Sequence, residues 1–161
     1  MNKFVTVGTV FAALALTSFV ERGAVSGKNL SEGCLAPKIE IENLDIEQVK
    51  GKKVLVSFWA AYDAQSRVNN SLLAANAKDF SEEIRMVSVS YDTDSILFKE
   101  TVKLDNLDEN TQYFDRNGKH SDTFRAFRLK DGFANYLLDE RGVIIARNLD
   151  PKKLNDLMRR N

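Results

Sequence analysis

Cys34 and His120 are the only cysteine and the only histidine in the chain, and this scarcity limits its covalent chemistry. One cysteine excludes an intramolecular disulfide, a CxxC redox pair and any Cys/His zinc cluster. A Cys–His nucleophilic pair requires these two residues to meet in space. Asp92, Asp94 and Asp115 could add oxygens to His120, but one histidine and scattered carboxylates are a weak pattern, and no metal site and no cofactor are expected. The remaining candidates lie in Tyr62-Asp63-Ala64-Gln65-Ser66-Arg67. A serine hydroxyl beside a carboxylate, with no histidine or lysine to act as base, is not an activated nucleophile. The expected role of Asp63 and Ser66 is to cap a helix. Arg67 could hold an anion at that helix start, although a solvated surface arginine is the expected state.

The elements around this stretch explain its prominence. Val54-Leu55-Val56-Ser57-Phe58-Trp59 is continuously apolar apart from Ser57, which predicts a central strand covered on both faces. From Ala64 to about Phe80 the period becomes helical, with Ala64, Val68 and Leu72 four apart and Leu73, Ala77 and Phe80 on an adjoining row. A strand that feeds a helix this abruptly aims the first helical N–H groups at the turn between them. Lys38-Ile39-Glu40-Ile41-Glu42 alternates and predicts a strand with one wet face, followed by a short turn carrying Ile46 and Val49. Ile84 to Tyr91 predicts another strand. Asp94 is placed to cap a helix carrying Ile96, Phe98 and Val102. The asparagines and aspartates of Leu104 to Asp115 predict mostly loop, and a helix from Ser121 would bury Phe124 and Phe127.

Ala134 to Leu138 and Val143 to Ala146 predict a hairpin across Asp139-Glu140-Arg141-Gly142, with the glycine at a position of positive φ. Asp150-Pro151 then starts a helix whose buried stripe is Leu154, Leu157 and Met158, with Arg159 and Arg160 at its negative end. The order of elements predicts an α/β sandwich, a central mixed sheet with helices on both faces and a C-terminal hairpin and helix.

The 161 residues suit one domain, and 23 basic residues against 23 acidic ones leave no excess charge. No basic surface for nucleic acid and no acidic tail is expected. Residues 1–26 read as an export signal: Lys3, an apolar run from Phe4 to Val20, then Ala24-Val25-Ser26 before Gly27. Thr6, Gly8, Thr9, Thr17 and Ser18 interrupt the run, so no permanent membrane span is expected after cleavage. The folded domain would be residues 27–161, in the periplasm or otherwise exported. An odd cysteine in such a compartment suggests a free thiol or a Cys34-linked dimer.

Three segments in order resemble the thioredoxin-like fold, in particular the exported TlpA/ResA type of thiol–disulfide oxidoreductase. Gly33-Cys34-Leu35-Ala36-Pro37 is similar to that family's G-x-x-A-P entry, Val54 to Ala60 to its V-L-V-x-F-W-A strand, and Leu137 to Ile144 to its L-I-D-x-x-G-x-I hairpin. The resemblance implies a helix-containing insertion over Tyr91 to Lys119. It also implies a redox motif, W-C-x-x-C-R, at the strand–helix turn, where this chain has Asp63 and Ser66 in the cysteine positions. Disulfide exchange needs an attacking thiolate and a resolving thiol. The family's cis-proline aligns with Phe133, where a trans peptide is expected because a non-proline cis bond costs roughly 2.5–4 kcal/mol. The resemblance thus implies a degenerate member. Its residual groove, with Tyr62, Asp63, Ser66, Arg67 and Phe133, would bind another envelope protein or a peptide. The alternative is thiol chemistry at Cys34, distant from the turn.

Overall fold

The computed structural model describes residues 29–44 and 51–159. The proposed signal segment, the turn with Ile46 and Val49, and Arg160 lie outside the described residues. Lys53–Trp59 forms β1, followed by α1 (Ala64–Ala77), β2 (Ile84–Ser90), α2 (Ser95–Leu104), β3 (Gln112–Phe114), α3 (Asp122–Ala126), β4 (Asn135–Leu138), β5 (Ile144–Arg147) and α4 (Leu154–Arg159). The strands form one mixed sheet in the order β3-β2-β1-β4-β5. β1, β2 and β3 are parallel, and β4 and β5 join antiparallel. The α/β sandwich with β1 at its centre is therefore as expected from the apolar run.

Alternation along β1 divides the core in two. Val54, Val56 and Phe58 face Phe124, Phe127 and Leu129, together with Leu30 from the N-terminal segment. Leu55 faces the other way, toward Leu73 and Ala77 of α1 and Leu154 and Met158 of α4. Trp59 shares that second face and meets Phe98 of α2, ring centroids 6.2 Å apart. Both faces of the sheet are thus covered, which is why β1 carries no wet face.

Four expectations are corrected. Lys38 to Glu42 is not a strand. Only Leu35 bridges to Val143, and the Glu40 N–H donates instead to Thr123 Oγ1 of α3 at 3.0 Å. Ile39 and Ile41 still pack on the core, so the alternation reported a one-sided apolar face that meets α3 rather than a sheet edge. Second, the stretch expected to be mostly loop contains β3, an edge strand of three residues paired to the end of β2.

The third correction concerns α1. Val68 and Leu72 are 53% and 46% exposed, and the buried face is Ser66, Asn70, Leu73, Ala74 and Ala77. The sheet beneath the first half of α1 is itself polar: Ser57 pairs with Ser88, and Ser88 with Gln112. Ser88 Oγ–H donates to Asn70 Oδ1, and Asn70 Nδ2–H donates to Gln112 Oε1 at 3.2 Å. A polar helix face was buried because its partners were polar. Fourth, Ile96 is exposed, whereas Phe98 and Val102 face inward on α2.

The remaining elements are as the sequence predicts. Asp94 caps α2 and Ser121 caps α3. Gly142 takes φ 81° in the hairpin, and Asp150 with Pro151 opens a 3₁₀ turn before α4. No described helix is long and apolar enough to cross a membrane.

Candidate functional site

The site is built at the C-terminal end of β1. The chain turns at Ala60, whose C=O accepts the Asp63 N–H at 3.1 Å, and α1 begins at once. Asp63 has extended backbone (φ −102°, ψ 96°), and its carboxylate accepts the Ser66 N–H at 2.8 Å. Ser66 Oγ–H donates to the Asp63 C=O at 3.1 Å, and the Ala60 N–H approaches the same hydroxyl at 3.4 Å. Asp63 and Ser66 are thus the two halves of a helix cap, as expected from their types. Such a cap contributes about 0.5–2 kcal/mol, and the positive end of the helix favours the carboxylate further. Asp92 secures the turn from the side: its Oδ1 accepts the Ala61 N–H and its Oδ2 the Ser90 hydroxyl, each at 2.7 Å.

Tyr62 stands out from the turn, 59% exposed, with its ring centroid 6.3 Å from that of Phe133. Phe133 in turn stacks on Tyr91 at 6.1 Å. The structure therefore brings Tyr62 and Phe133 together beside the Asp63 cap. Partial burial, then the Asp92 and Asp63 carboxylates, hold the Tyr62 phenol above its ordinary pKa. No peptide bond among the described residues is cis, so the bond into Phe133 is trans. Gly132, which precedes it, holds φ 128°, a value side chains strain to reach.

Arg67 is neither a free anion ligand nor a solvated surface arginine. Its Nε–H and NH2 groups form a two-pronged pair with Asp105 at the end of α2, at 2.7 and 2.5 Å. This geometry ties α1 to α2 and engages the guanidinium. Trp59 is wholly buried against α2, so it does not join the Tyr62–Phe133 pair.

Cys34 lies at the other end of the sheet. Its carbonyl accepts the Ile144 N–H, and Ile144 pairs with Leu138, which pairs with Val54 at the start of β1. The length of β1, roughly 16 Å at ~3.3 Å per residue, separates it from the Asp63 turn. Its thiol is free and half-buried. His120 sits instead in the turn after β3, just before the Ser121 cap, so the two residues occupy different ends of the fold. Asp92, Asp94 and Asp115 each accept a backbone N–H, and no cluster of three or more His, Cys, Asp or Glu side chains suited to a metal ion occurs among the described residues.

Beyond Phe133 a cleft of about 430 Å³ opens between the start of α1, the segment before β4 and the loop after β5. Gln65, Asn69, Asn135 and Asn148 line it, and sequence reading singled out none of them. The four carboxamides are up to 83 positions apart, and only the sheet order brings them to one wall.

No protein-family model matches the sequence, and no curated protein matches it. Solved structures do. A thioredoxin-like protein from Parabacteroides distasonis is 42% identical with TM-score 0.74, over 80% of this chain and 95% of that one. The thioredoxin domain of a thiol-disulfide oxidoreductase from Bacteroides vulgatus, 23% identical, shares the fold with TM-score 0.70 over 82% of this chain and 98% of its own. A thiol:disulfide interchange protein from a Bacteroides species, 22% identical, does so with TM-score 0.69 over 81% and 90%. With the sheet order, the strand–helix turn and these likenesses together, the chain belongs to the thioredoxin-like thiol–disulfide oxidoreductase family.

Proposed function

We propose that this protein is an exported family member without dithiol redox activity, which acts in the cell envelope as a binding or scaffold protein for another protein or a peptide. One observation carries the reading. The two positions where the family motif has cysteines hold Asp63 and Ser66, and both side chains are committed to capping α1. A carboxylate and a hydroxyl cannot form or resolve a mixed disulfide. The trans peptide at Phe133 supports the same reading, because it gives the groove another shape and puts an aromatic ring at its edge. The exposed Tyr62 and the half-buried Phe133 then offer a partner an aromatic surface beside a fixed turn. Export rests on the character of residues 1–26 in the sequence.

The test is reduction of insulin and of glutathione disulfide by the purified protein and by its Cys34→Ser form. The expected result is no turnover above background from either. Turnover that disappears in Cys34→Ser would overturn the reading in favour of single-thiol chemistry. A bridged dimer on non-reducing gels, without turnover, would assign Cys34 a linking role and leave the binding function intact. In the Asp63→Cys, Ser66→Cys double variant the pair is expected to form an internal disulfide, detected by thiol titration. Failure to do so would show that the turn does not correspond to the family's redox motif.

A further inference from the structure

The chain treats the two edges of its sheet differently. At the start of β5 the outer edge is closed: the Gly33 N–H donates to the Ile144 C=O at 2.8 Å, and the Ile144 N–H to the Cys34 C=O at 2.9 Å. β3 forms the other edge, and no described strand pairs with its outer side. The Asp115 N–H donates to the Ser90 C=O at 3.1 Å. By the alternation of a strand, Tyr113 therefore turns its N–H and C=O toward β2, and Phe114 turns both away. Gln112 also faces outward; its N–H is taken by the Glu109 C=O, which leaves its own C=O open. This edge lies in a groove of about 940 Å³ between the start of α2 and residues 42–43. On the α2 side the Phe114 ring stacks on Phe98, centroids 5.6 Å apart. Arg85 lines the groove as well; its Nη2–H donates to the Asn110 C=O at 3.0 Å, but its Nε–H is buried without a partner.

We propose that β3 binds an extended segment of another protein, which joins the sheet as a sixth, antiparallel strand with an apolar side chain over Phe98 and Phe114. Backbone donors and acceptors left open along an edge select a strand, because a strand presents the matching groups at the same spacing. Exposed edges are commonly guarded by lysine or proline, and Gln112-Tyr113-Phe114 has neither. In an antiparallel pair Phe114 exchanges both hydrogen bonds with one residue of the segment, and the Gln112 C=O accepts the N–H two residues further on. The residue opposite Phe114 places its side chain on the same face, against the Phe98–Phe114 stack, and so must be apolar. Its neighbours fall on the Tyr113 face with Asn43, Asn110 and Arg85, and so must be polar. A carboxylate there would accept the orphaned Arg85 Nε–H. A second copy of this chain fits less well: its β3 is set back between the same walls, and two recessed edges do not meet. Neither Tyr62 nor Phe133 lines this groove, so it is separate from the aromatic surface.

The experiment is an NMR titration of the isotope-labelled full-length chain with the peptide acetyl-TVTFEVT-amide, read by shift changes and amide hydrogen exchange. The peptide is expected to bind with a Kd of about 1 mM or tighter. At saturation, exchange of the Phe114 amide should slow by about tenfold or more, while the Asp115 amide, already bonded to Ser90, changes by less than about twofold. N-methylation of the peptide's phenylalanine removes the N–H given to Phe114 and should weaken binding by about tenfold or more. N-methylation of its glutamate, whose N–H points away from β3, should weaken it by less than about threefold. Both comparisons use the unaltered protein, so folding does not enter. The inference is overturned by no binding at about 5 mM, by greater sensitivity to the glutamate modification, or by shift changes around Tyr62 and Phe133 with no protection of Phe114. It is also overturned by a concentration-dependent dimer that protects the Phe114 amide without peptide, which would assign the edge to a second copy. Turnover in the disulfide-reduction assays would sink the proposed function and leave this inference standing, so the two can fail separately.

Discussion

Asp63 and Asp139 show how a single carboxylate can define a turn. Asp63 accepts one helical N–H and starts α1; Asp139 accepts the Arg141 and Val143 N–H groups and closes the hairpin. At Asp139 burial acts to raise the pKa, but the Val143 N–H, the Arg141 side chain and the Arg141 N–H outweigh it and hold the carboxyl below its ordinary 3.8. A folded-state pKa below the unfolded one contributes stability above the unfolded value and loses it as pH falls through the folded value. Urea denaturation of the protein and of Asp139→Asn should therefore differ by about 1–2 kcal/mol at pH 7. The difference should shrink as the pH is lowered below 3.8. A gap that stays constant into acid would show that the charge is not what matters there.

The helix α1 is bound by two unlike surfaces. Its second half packs Leu73 and Ala77 on the apolar sheet, and its first half sets Ser66 and Asn70 over Ser57 and Ser88. Its third attachment is the Arg67–Asp105 pair to α2. This arrangement fixes the turn that carries Tyr62 and Asp63, because the helix cannot slide without unpairing buried groups. Asn70→Ala would leave the Ser88 hydroxyl and the Gln112 Oε1 without their partner, an expected loss of about 1–3 kcal/mol in chemical denaturation. Replacing both partners, Asn70→Leu with Ser88→Ala, should recover part of that loss, because an apolar pair needs no hydrogen bonds. A double variant worse than Asn70→Ala would show that the layer acts by shape rather than by satisfied polarity.

At the scale of the whole molecule, one sheet separates two apolar cores and carries the candidate site at one end. α3 and the N-terminal segment close one face, and α1, α2 and α4 close the other. Tyr62, Phe133 and the carboxamide cleft gather at the C-terminal end of β1, where α/β sheets commonly place ligands. Cys34 is kept at the opposite end. The two-core arrangement predicts that Leu55→Ala costs about 2–5 kcal/mol, whereas Val68→Ala on the exposed side of α1 changes stability by less than about 0.5 kcal/mol. Equal losses at the two positions, measured by thermal or urea unfolding, would mean that α1 is turned the other way.

The central strand, the Asp63, Asp94 and Asp150 caps and the Gly142 turn could be read directly from residue types, because each depends on neighbours a few positions away. That Cys34 is the only cysteine and that Asp63 and Ser66 stand at the strand–helix turn was equally plain. Which face of α1 is buried could not be read. The stripe of Ala64, Val68 and Leu72 is apolar, but the sheet presents serines, and burial follows the partner surface rather than the helix alone. For the same reason Lys38 to Glu42 alternates without becoming a strand, and Arg67 meets Asp105 across 38 positions. The carboxamide cleft depends on β4 and β5 returning beside β1. Long-range pairing assembles it, so local pattern carries no trace of it.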